Sequence, residues 1–362
     1  MYRISKPTLF VDCKRVVKNI ERMFTKARKS NIRFRPHFKT HQSLLIGRIF
    51  RDFGVKAITV SSLDMALYFS RDGWNDITVA FPVNILEIDK VNFLASRINL
   101  NLLLDSKDAV NLLSKRLLYK VNIYLKVDTG YGRAGIYYKD VDNFKKIISL
   151  LKNQSKIQLK GLLSHFGNTY YAKSVAEIRK IYSTSLNSLI NLKSELMNLT
   201  DELEISIGDT PSCSVIDDFK GIDEIRPGNF VFYDYKMLSL GVCRERDIAI
   251  AVGCPVVAIY KERNEVLAYC GAIHLSKDSV NLNGKEIFGI PVKRLLSGWA
   301  KIKYGNIVKS ISQEHSILKL SDNFMNSLKI GSIVFIIPVH SCLTADCMKS
   351  YITLDGRLFD HM

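Results

Sequence analysis

The sequence predicts two domains, a (β/α)8 barrel of the TIM type followed by an all-β domain. Short β-branched or apolar runs alternate with segments of helical spacing as far as about residue 235. Several of these runs are apolar on both faces, as expected where helices cover a parallel sheet. After Tyr235 the rhythm changes to strands joined by turns. We therefore expect a barrel over residues 1–235 and a β domain over residues 236–362.

The barrel is predicted from an opening strand at Thr8–Val11, a long amphipathic helix, and then a series of strand–helix units. The predicted strands are 32–38, 56–61, 77–81, 98–104, 121–127, 158–165, 204–208 and 223–226. The predicted helices are 42–53, 63–71, 84–95, 106–116, 139–153 and 173–200. This count matches a barrel. A doubly wound open sheet is the competing architecture, but the strand count and the lack of G-x-G-x-x-G after the first strand argue against it.

The second domain is predicted from apolar runs that no long helical pattern interrupts. Turn signals between the runs include Asn283-Gly284 and Asp355-Gly356. About 125 residues is a usual size for one domain. The predicted strands are Cys254–Tyr260, Val266–Ile273, Ile317–Leu320, Ile333–Val339 and Tyr351–Leu354.

Composition and charge exclude several classes of protein. The chain has 362 residues, 47% of them hydrophobic, and a net charge of +17, which raises the possibility of a nucleic-acid or membrane partner. The basic residues are scattered and no nucleic-acid-binding motif is present, so we expect neither partner. The seven cysteines form no C-x-x-C and no apolar run is long enough to span a bilayer. The N-terminus has no signal-peptide pattern, so we expect a cytoplasmic protein.

Lys39 is the first candidate for chemistry. It ends the first predicted barrel strand, opens a βα loop, and is flanked by His37 and His41. A lysine at that place can form a Schiff base with a carbonyl compound. A solvated loop lysine is the alternative, and it is the better interpretation for an isolated lysine. The loops that follow the later strands favour the chemical role.

Two of these loops carry polar residues that a barrel would bring to one mouth, because residues after each strand share the same end. Arg133 follows two glycines in the segment Asp128–Gly135, and glycines allow a backbone to approach a ligand closely. Its guanidinium either meets a polar ring or carboxylate, or forms a surface salt bridge. His165 ends the sixth strand, where a hydrogen-bonded buried histidine is the default interpretation.

The segment Gly208–Ser212 after the seventh strand indicates a phosphate site. It contains a glycine, hydroxyl groups and a helix start, which present backbone N–H groups to an anion. An ordinary N-cap explains Thr210-Pro211-Ser212 equally well in isolation. Barrels commonly hold phosphate at the loops after strands seven and eight, which favours the phosphate interpretation.

A candidate metal pair follows the strand Ile333–Val339. His340 and Cys342 are two positions apart, so in a strand-like stretch their side chains point to the same side. An imidazole and a thiolate suit zinc better than magnesium or calcium. Alone, H-x-C is a weak signal. Two ligands leave open positions for water or substrate, as a catalytic metal needs.

With these motifs in view, the chain resembles the D-serine dehydratase and D-threonine aldolase family, which are pyridoxal-phosphate enzymes of the alanine-racemase-like fold (type III). The resemblance runs through nearly the whole chain, and several long motifs occur in the right order. One departure is Asp209, which stands where the family usually has a second glycine. The motifs are Arg35–His41, 60–62, Asp128–Gly135, His165–Tyr170, Gly208–Ser212, 226–234 and His340–Asp346.

The resemblance implies a role for each candidate residue. Lys39 is implied to carry pyridoxal 5′-phosphate and to remove the Cα proton, and a homodimer is implied. His340 and Cys342 are implied to bind Zn²⁺. The implied cofactor contacts are Arg133 near the ring oxygen, Tyr170 near the ring with His165 close by, and Gly208, Thr210 and Ser212 on the phosphate with Gly228 and Asn229 adjacent.

The resemblance also orders the possible activities. Dehydratases of the family have His-x-Cys and aldolases His-x-Asp, so Cys342 favours dehydration of a D-hydroxy amino acid. The expected reaction is conversion of D-serine to pyruvate and ammonia, with zinc assisting loss of the β-hydroxyl group. The alternatives are retro-aldol cleavage of the D-threonine aldolase type and racemisation. An alternative of a different class is a non-catalytic protein that binds pyridoxal phosphate.

Overall fold

The computed structural model describes residues 4–200 and 202–362. The chain divides into two compact units. The barrel unit contains Arg22–Lys39 and Gly47–Gly228. The strand-rich unit contains the residues up to Glu21, a short segment at Thr40–Ile46, and Asn229–Met362. The predicted combination of a barrel and a C-terminal β domain is confirmed, and the opening of the chain groups with the C-terminal unit.

The barrel unit is a ring of parallel strands. Neighbouring strands follow sequence order, except that the last strand returns to pair with the first, Glu224 opposite Arg33. An isolated parallel bridge between His37 and Thr59 closes the ring. Within the described residues the ring strands are Arg33–Phe34, Ile58–Val60, Asp76–Pro82, Asn99–Leu104, Val121–Asp128, Ile157–Ser164, Glu204–Ile207 and Glu224–Ile225, with Ile136–Tyr137 added beside Val121–Asp128.

Helices follow these strands, and hydroxyl or carboxylate side chains fix several of their starts. Ser62, Ser106 and Ser174 each accept a hydrogen bond from the backbone N–H three residues later. Each such cap stabilises a helix by about 1 kcal/mol. The helices from the start of the chain to the end of the barrel unit are Cys13–Lys29, Leu44–Asp52, Leu63–Ser70, Ile88–Ala95, Lys107–Arg116, Val141–Lys152, Val175–Leu196 and Thr210–Val215.

The first ring strand is shorter than predicted. Regular pairing ends at Phe34, although an extended run was expected to reach residue 38. The backbone continues along its neighbours through separate hydrogen bonds, from the His37 N–H to the Pro227 carbonyl and from the Thr59 N–H to the Pro36 carbonyl. Pro36 has no N–H to donate, so a regular ladder cannot run through this position.

Charged side chains, rather than apolar layers, fill the end of the barrel where the strands begin. Glu224 is fully buried and accepts from Arg35 Nε at 2.6 Å, while Arg35 Nη1 reaches Asp76 Oδ1 at 2.7 Å. Ser206 Oγ donates to Glu224 at 2.6 Å and accepts from Arg226 Nε at 2.7 Å. Because buried charges are costly unless paired, this network is arranged so that each charge has a partner. It ends at Arg226, at the carboxyl end of the last ring strand.

The strand-rich unit is built on one large sheet that includes the opening strand. Thr8–Val11 pairs antiparallel with Ile250–Tyr260 and parallel with Tyr351–Thr353. The predicted strand Val266–Ile273 ends earlier, because the chain turns into a short helix at Ala272–Leu275. The remaining strands are Glu265–Tyr269, Gly289–Leu295, Gly298–Trp299, Ile307–Ile311, His315–Lys319, Ile333–Pro338 and Leu358–Phe359, with a separate hairpin of Val280–Leu282 and Lys285–Ile287.

Short helices also interrupt this unit. They are Tyr235–Ser239, Ala272–Leu275, Asp322–Met325 and Ser341–Met348. The last of these begins directly after His340 and follows the buried strand Ile333–Pro338. In the described part of the chain, no helix combines the length and apolar character that crossing a membrane requires.

Candidate active site

Lys39 lies in a single helical turn, Phe38–Thr40, and its side chain is exposed. Phe38, the residue before it, is fully buried and anchors the turn. The Phe38 ring contacts three aromatic rings, with centroids 5.1 Å from Phe50, 4.9 Å from Phe69 and 5.2 Å from Trp74. A fixed backbone therefore carries an exposed amine at the carboxyl end of the ring strands.

Two histidines show that this end of the barrel is strongly positive. Burial lowers the pKa of His37 well below its usual value, and the charges of Lys39, Arg226 and Arg133 lower it further. His165 is half-buried, and its pKa is lowered in the same way, first by desolvation of the ring and then by the charges of Arg133 and Lys39. Both imidazoles are therefore neutral near pH 7, and the cationic charge at this end of the barrel comes from lysine and arginine side chains.

Lys126 is a member of this cationic cluster that the sequence predictions missed. It is 6% exposed within the strand Val121–Asp128, and its pKa is lowered to about 7. Burial is the main cause, followed by the charges of Arg226 and Arg133. A lysine inside an otherwise apolar strand was the available signal, because such a side chain is rarely buried without a function or a partner.

Arg226 also belongs to the cluster. Its guanidinium is fixed by Ser206 Oγ and by the Ser164 carbonyl, the latter at 2.7 Å. Burial lowers its pKa to about 10, so it remains charged at neutral pH. With Lys39, Lys126 and Arg133 it forms what we call the cationic cluster, a charge arrangement suited to an anionic ligand.

The loop that carries Arg133 is organised by one carboxylate. Asp128 Oδ1 accepts the backbone N–H groups of Gly130 and Tyr131 at 2.9 Å and of Gly132 at 3.1 Å. Gly135 has a φ of 109°, and a Cβ there would lie 2.9 Å from Lys126 Cγ. The loop therefore closes tightly over Lys126, and its tightness depends on glycine.

His165 ties two of the predicted loops together. Its Nδ1–H donates to the carbonyl oxygen of Gly208, which fixes the tautomer and leaves Nε2 unprotonated. Its ring centroid lies 6.0 Å from that of Tyr131 and 6.0 Å from that of Tyr170. The structure therefore brings His165, Tyr170 and Gly208, which the family resemblance places around the cofactor, into one group.

The expected phosphate segment differs from the prediction in one respect. The backbone N–H of Thr210 already donates to Tyr170 Oη at 3.1 Å, and that of Ser212 donates to Asp209 Oδ1 at 2.6 Å. The N–H groups expected to face an anion are thus paired within the protein, because Asp209 caps the helix start. Ser212 Oγ, in contrast, is buried and has no hydrogen-bond partner among the described residues. A bound phosphate oxygen would satisfy that hydroxyl, so the segment fits the group through a side chain.

Gly228 and Asn229 were predicted to lie beside the phosphate. Gly228 ends the barrel unit directly after Arg226 and Pro227. The Asn229 side chain is held within the strand-rich unit, where its Nδ2 donates to Asp234 at 2.6 Å and to Ser341 Oγ at 2.9 Å. Only the main chain of Asn229 therefore continues the predicted segment.

The candidate metal pair comes together, but for a different reason than predicted. His340 is the N-cap of the helix Ser341–Met348 and Cys342 lies in its first turn, so the strand-based alternation argument was wrong. The two side chains nevertheless hydrogen-bond. Although burial lowers the pKa of His340, hydrogen bonds to Asp278 and Cys342 outweigh it and raise the pKa to about 10.

Side chains around the pair fix both members. His340 Nδ1 donates to Asp278 Oδ2 at 2.5 Å, a contact that the sequence did not predict. Thr40 Oγ1 lies 3.2 Å from Cys342 Sγ. Within residues 4–200 and 202–362, no set of three or more His, Cys, Asp and Glu side chains is arranged to hold a metal. An imidazole and a thiol suit zinc, and here they supply two positions of a tetrahedral site.

Comparison with known proteins supports this reading of the chain. A family model described as "Alanine racemase, N-terminal domain" matches residues 11–236, more than half of the chain. A model of a serine dehydratase domain matches residues 249–354. The first match covers the ring strands and the second covers most of the strand-rich sheet.

Individual relatives extend along the whole chain. D-serine dehydratase of Dictyostelium discoideum is 27% identical over 96% of this chain and 93% of its own length. D-threo-3-hydroxyaspartate dehydratase of Delftia sp. (strain HT23) is 25% identical over 98% of this chain and 96% of its own length. The solved Delftia enzyme covers 99% of this chain and 98% of its own, with a TM-score of 0.90 and 24% identity.

Two further solved structures are informative. D-threonine aldolase from Filomicrobium marinum has a TM-score of 0.86 at 17% identity, and covers 99% of this chain and 97% of its own. A cysteine-to-alanine variant of a D-threo-3-hydroxyaspartate dehydratase is known in a metal-free form, with a TM-score of 0.90 and 23% identity to this chain. The chain therefore belongs to the family of the pyridoxal-phosphate-dependent D-serine dehydratases, which join an alanine-racemase-type N-terminal domain to a serine dehydratase domain.

Proposed function

We propose that the protein is a D-serine dehydratase, which converts D-serine to pyruvate and ammonia. The observation that carries this proposal is the hydrogen-bonded pair His340 and Cys342 in a chain that also presents Lys39 beside a cationic cluster. Lysine supplies the attachment for the cofactor, and the imidazole–thiol pair supplies a metal site that a simple racemase does not need. The D-serine dehydratase of Dictyostelium, similar over nearly the whole chain, supports the same substrate.

Pyridoxal phosphate, when bound, supplies an electron sink for a carbanion at Cα. Lys39 would hold the cofactor and remove the Cα proton. Its exposed side chain and fixed backbone suit both tasks, because removal of a proton requires a base held within reach of it. Lys126 and Arg226 add positive charge that would attract the anionic cofactor and the carboxylate of the substrate.

The remaining cofactor contacts follow from the described geometry. Ser212 would donate a hydrogen bond from its hydroxyl group to the phosphate, and Arg133 would face the ring oxygen from its glycine-bounded loop. Tyr170 and His165 would stand beside the ring. His165 would do so as a neutral imidazole, because its Nδ1–H is fixed on the Gly208 carbonyl. Gly208, Thr210, Gly228 and Asn229 would complete the phosphate segment.

His340 and Cys342 would hold a zinc ion. When bound, zinc supplies a Lewis acid that stabilises a departing hydroxyl oxygen, which is otherwise a poor leaving group. Asp278 would orient His340 so that the other ring nitrogen faces the metal.

A second candidate substrate is D-threo-3-hydroxyaspartate. The Delftia enzyme of that name is similar over 98% of this chain, and a second carboxylate would be attracted by the cationic cluster. Retro-aldol cleavage is the alternative reaction, and the aldolase from Filomicrobium marinum shares the fold. Cys342, in place of the aspartate of the aldolases, favours dehydration.

Product analysis tests these proposals. The purified protein, loaded with pyridoxal phosphate and zinc, is given D-serine, D-threonine, D-threo-3-hydroxyaspartate and their L isomers. We expect a keto acid and ammonia in equal amounts from D-serine, and loss of that activity with a chelator. Glycine and an aldehyde from D-threonine would replace the proposal with an aldolase. Appearance of the opposite isomer alone would replace it with a racemase, and absence of turnover with bound cofactor would indicate a non-catalytic protein.

Three wider expectations accompany the activity. We propose a homodimer, since enzymes of this fold type are typically dimers in which a β-domain completes the partner's site; light scattering after gel filtration measures the molar mass. We propose two domains with a boundary near residue 235, which limited proteolysis would locate. A cytoplasmic location also stays a prediction, and cell fractionation checks it.

A further inference from the structure

Asp209 is an unusual residue for a phosphate-binding segment. It is 2% exposed, and its Oδ1 accepts from the Ser212 N–H at 2.6 Å and from Thr169 Oγ1 at 3.0 Å. Its other oxygen, Oδ2, is buried and has no hydrogen-bond partner among the described residues. A buried carboxylate oxygen without a partner is costly, so this atom requires an explanation.

Ser212 Oγ has the same property and lies in the same helical turn. Two buried polar atoms with no hydrogen-bond partner among the described residues therefore lie three positions apart at the start of one helix. A ligand with several oxygen atoms, such as a phosphate, would satisfy the Ser212 hydroxyl directly, because the hydroxyl can donate. An ionised Asp209 could not form a hydrogen bond with the phosphate, because carboxylate and phosphate oxygens are both acceptors.

We propose that Asp209 holds a proton when the cofactor is bound, and that its Oδ2–H donates a hydrogen bond to the cofactor phosphate. This inference rests on the proposed cofactor site and deepens it. Asp209 would then be a positioning residue. Its Oδ1 occupies the Ser212 N–H group, which can no longer bind the phosphate, and its Oδ2–H would supply a hydrogen bond instead. Retention of the cofactor then depends on pH through this carboxyl group.

The surroundings of Asp209 are consistent with a protonated carboxyl. Burial raises its pKa to about 6, although bonds to Ser212 and Thr169 and the charge of Arg226 act in the opposite direction. An adjacent phosphate anion would raise this pKa further, because a like charge disfavours ionisation. The carboxyl would then be ionised in the free protein at pH 7 and protonated in the complex.

Most titratable groups around Asp209 do not change charge between pH 5.5 and 8.5. Lys126 does, and its effect is removed by comparing the wild type with the Asp209 variants. Burial raises the pKa values of Tyr182 and Cys213, so both stay neutral below pH 9. Arg226 stays charged, and His165 stays neutral. Lys126, with a pKa of about 7, titrates in the same range and is present in every variant used below. The titratable and charged groups in this part of the barrel unit are Arg226, Tyr182, Cys213, His165, Tyr170, Lys26 and Lys126.

The sign of the effect follows from linkage. A group whose pKa is higher in the complex than in the free protein favours the complex at low pH, and this advantage is lost as pH rises. Between pH 6.5 and 8, each bound phosphate would take up about one proton at Asp209. The dissociation constant would therefore rise by up to about tenfold per pH unit from this group alone.

The test uses 4-deoxypyridoxine 5′-phosphate, which has no aldehyde and does not join Lys39. Its dissociation constant is measured from pH 5.5 to 8.5 with the wild type, Asp209→Asn and Asp209→Ser. Asparagine keeps a donor without a titrating proton, and serine keeps the helix cap. We expect the wild-type constant to rise about tenfold more than that of Asp209→Asn between pH 6.5 and 7.5. Parallel pH profiles for all three proteins would overturn the proposal.

A measurement on the wild type alone covers the case in which the variants fold poorly. Difference infrared spectra on ligand binding at pH 7.5 should gain the C=O band of a protonated carboxyl, and its absence would overturn the proposal. Binding of pyridoxal phosphate to the wild type distinguishes failure of the proposed function from failure of the proposed role of Asp209. If it fails to bind the wild type, the proposed function fails with it. If it binds and colours the protein while the pH profiles stay parallel, only the role of Asp209 is refuted.

Discussion

His340 Nδ1 lies 2.5 Å from Asp278 Oδ2, so the imidazole of the proposed metal pair is oriented by a carboxylate from a separate loop. A carboxylate in this position fixes the ring and raises the basicity of the nitrogen that faces the metal. Asp278→Ala should therefore weaken zinc binding about 10- to 100-fold. Competition with a chromophoric chelator measures the constant, and Asp355→Ala, at an exposed carboxylate in the same unit, is the control. Equal zinc affinity in the two variants would refute the orienting role.

Lys39→Ala should abolish the yellow colour of the protein reconstituted with pyridoxal phosphate, because the exposed amine at the barrel mouth would be gone. Activity on D-serine should fall below detection. Lys56→Ala removes another exposed lysine, before the second ring strand, and should keep both the colour and the activity. Absorbance spectra of the two variants give the answer. A yellow Lys39→Ala protein with cofactor on another lysine would exclude Lys39.

Ser212→Ala should weaken cofactor binding about tenfold, equivalent to one hydrogen bond to a charged group. The free energy of unfolding of the cofactor-free protein should stay unchanged or rise, because the hydroxyl has no partner among the described residues. Ser206→Ala is the matched control. Its hydroxyl bridges Glu224 and Arg226, so its loss should lower the free energy of unfolding by about 1–3 kcal/mol. Urea titration measures both, and equal destabilisation would contradict the distinction.

Glu224 should make the stability of the barrel unit depend on pH. Burial alone would raise its pKa, but Arg35 and Arg33 lower it from 4.5 to about 2. Because the folded-state pKa is depressed, the stabilisation is fully present above pH 4.5 and is lost as pH falls towards 2. The loss should reach about 3 kcal/mol.

Urea unfolding of Glu224→Gln at pH 7, 4.5 and 3 tests this contribution. The variant should be less stable at pH 7 by about 3–5 kcal/mol, because Arg35 loses its buried partner. Its stability should also depend less on pH below 4.5. Glu262→Gln, at an exposed position, is the control. Identical pH profiles for wild type and Glu224→Gln would show that Glu224 does not carry the effect.

The sequence predicted local pattern better than long-range pairing. The ring strands and most helices lie within a few residues of their predicted bounds, because each depends on nearby apolar spacing. The opening strand Thr8–Val11 was grouped with the barrel, yet it pairs with Ile250–Tyr260. Nothing in a four-residue apolar run specifies a partner more than two hundred positions away.

In the candidate site, too, features that depend on local sequence were predicted and features that depend on tertiary contacts were missed. Lys39, His165 and Gly208 were found because loops after parallel strands converge at one end of the barrel. Asp278 was missed, because it follows no motif and meets His340 only through tertiary structure. Lys126 lies in the predicted strand 121–127 but was missed as a site residue, because its burial and its proximity to Arg226 depend on closure of the ring. His340 and Cys342 lie side by side although the predicted strand geometry was wrong, and their role as a metal pair stays a prediction.

The aromatic packing around Phe38 has a consequence for the dynamics of Lys39. Opening the turn at Phe38 would separate its ring from Phe50, Phe69 and Trp74 at once, which links a local fluctuation to the aromatic core. The amide of Phe38 should therefore exchange its hydrogen almost as slowly as the core, although the next side chain is in solvent. The Lys39 backbone is thus held in place, and the amine moves only through rotation about the side-chain bonds.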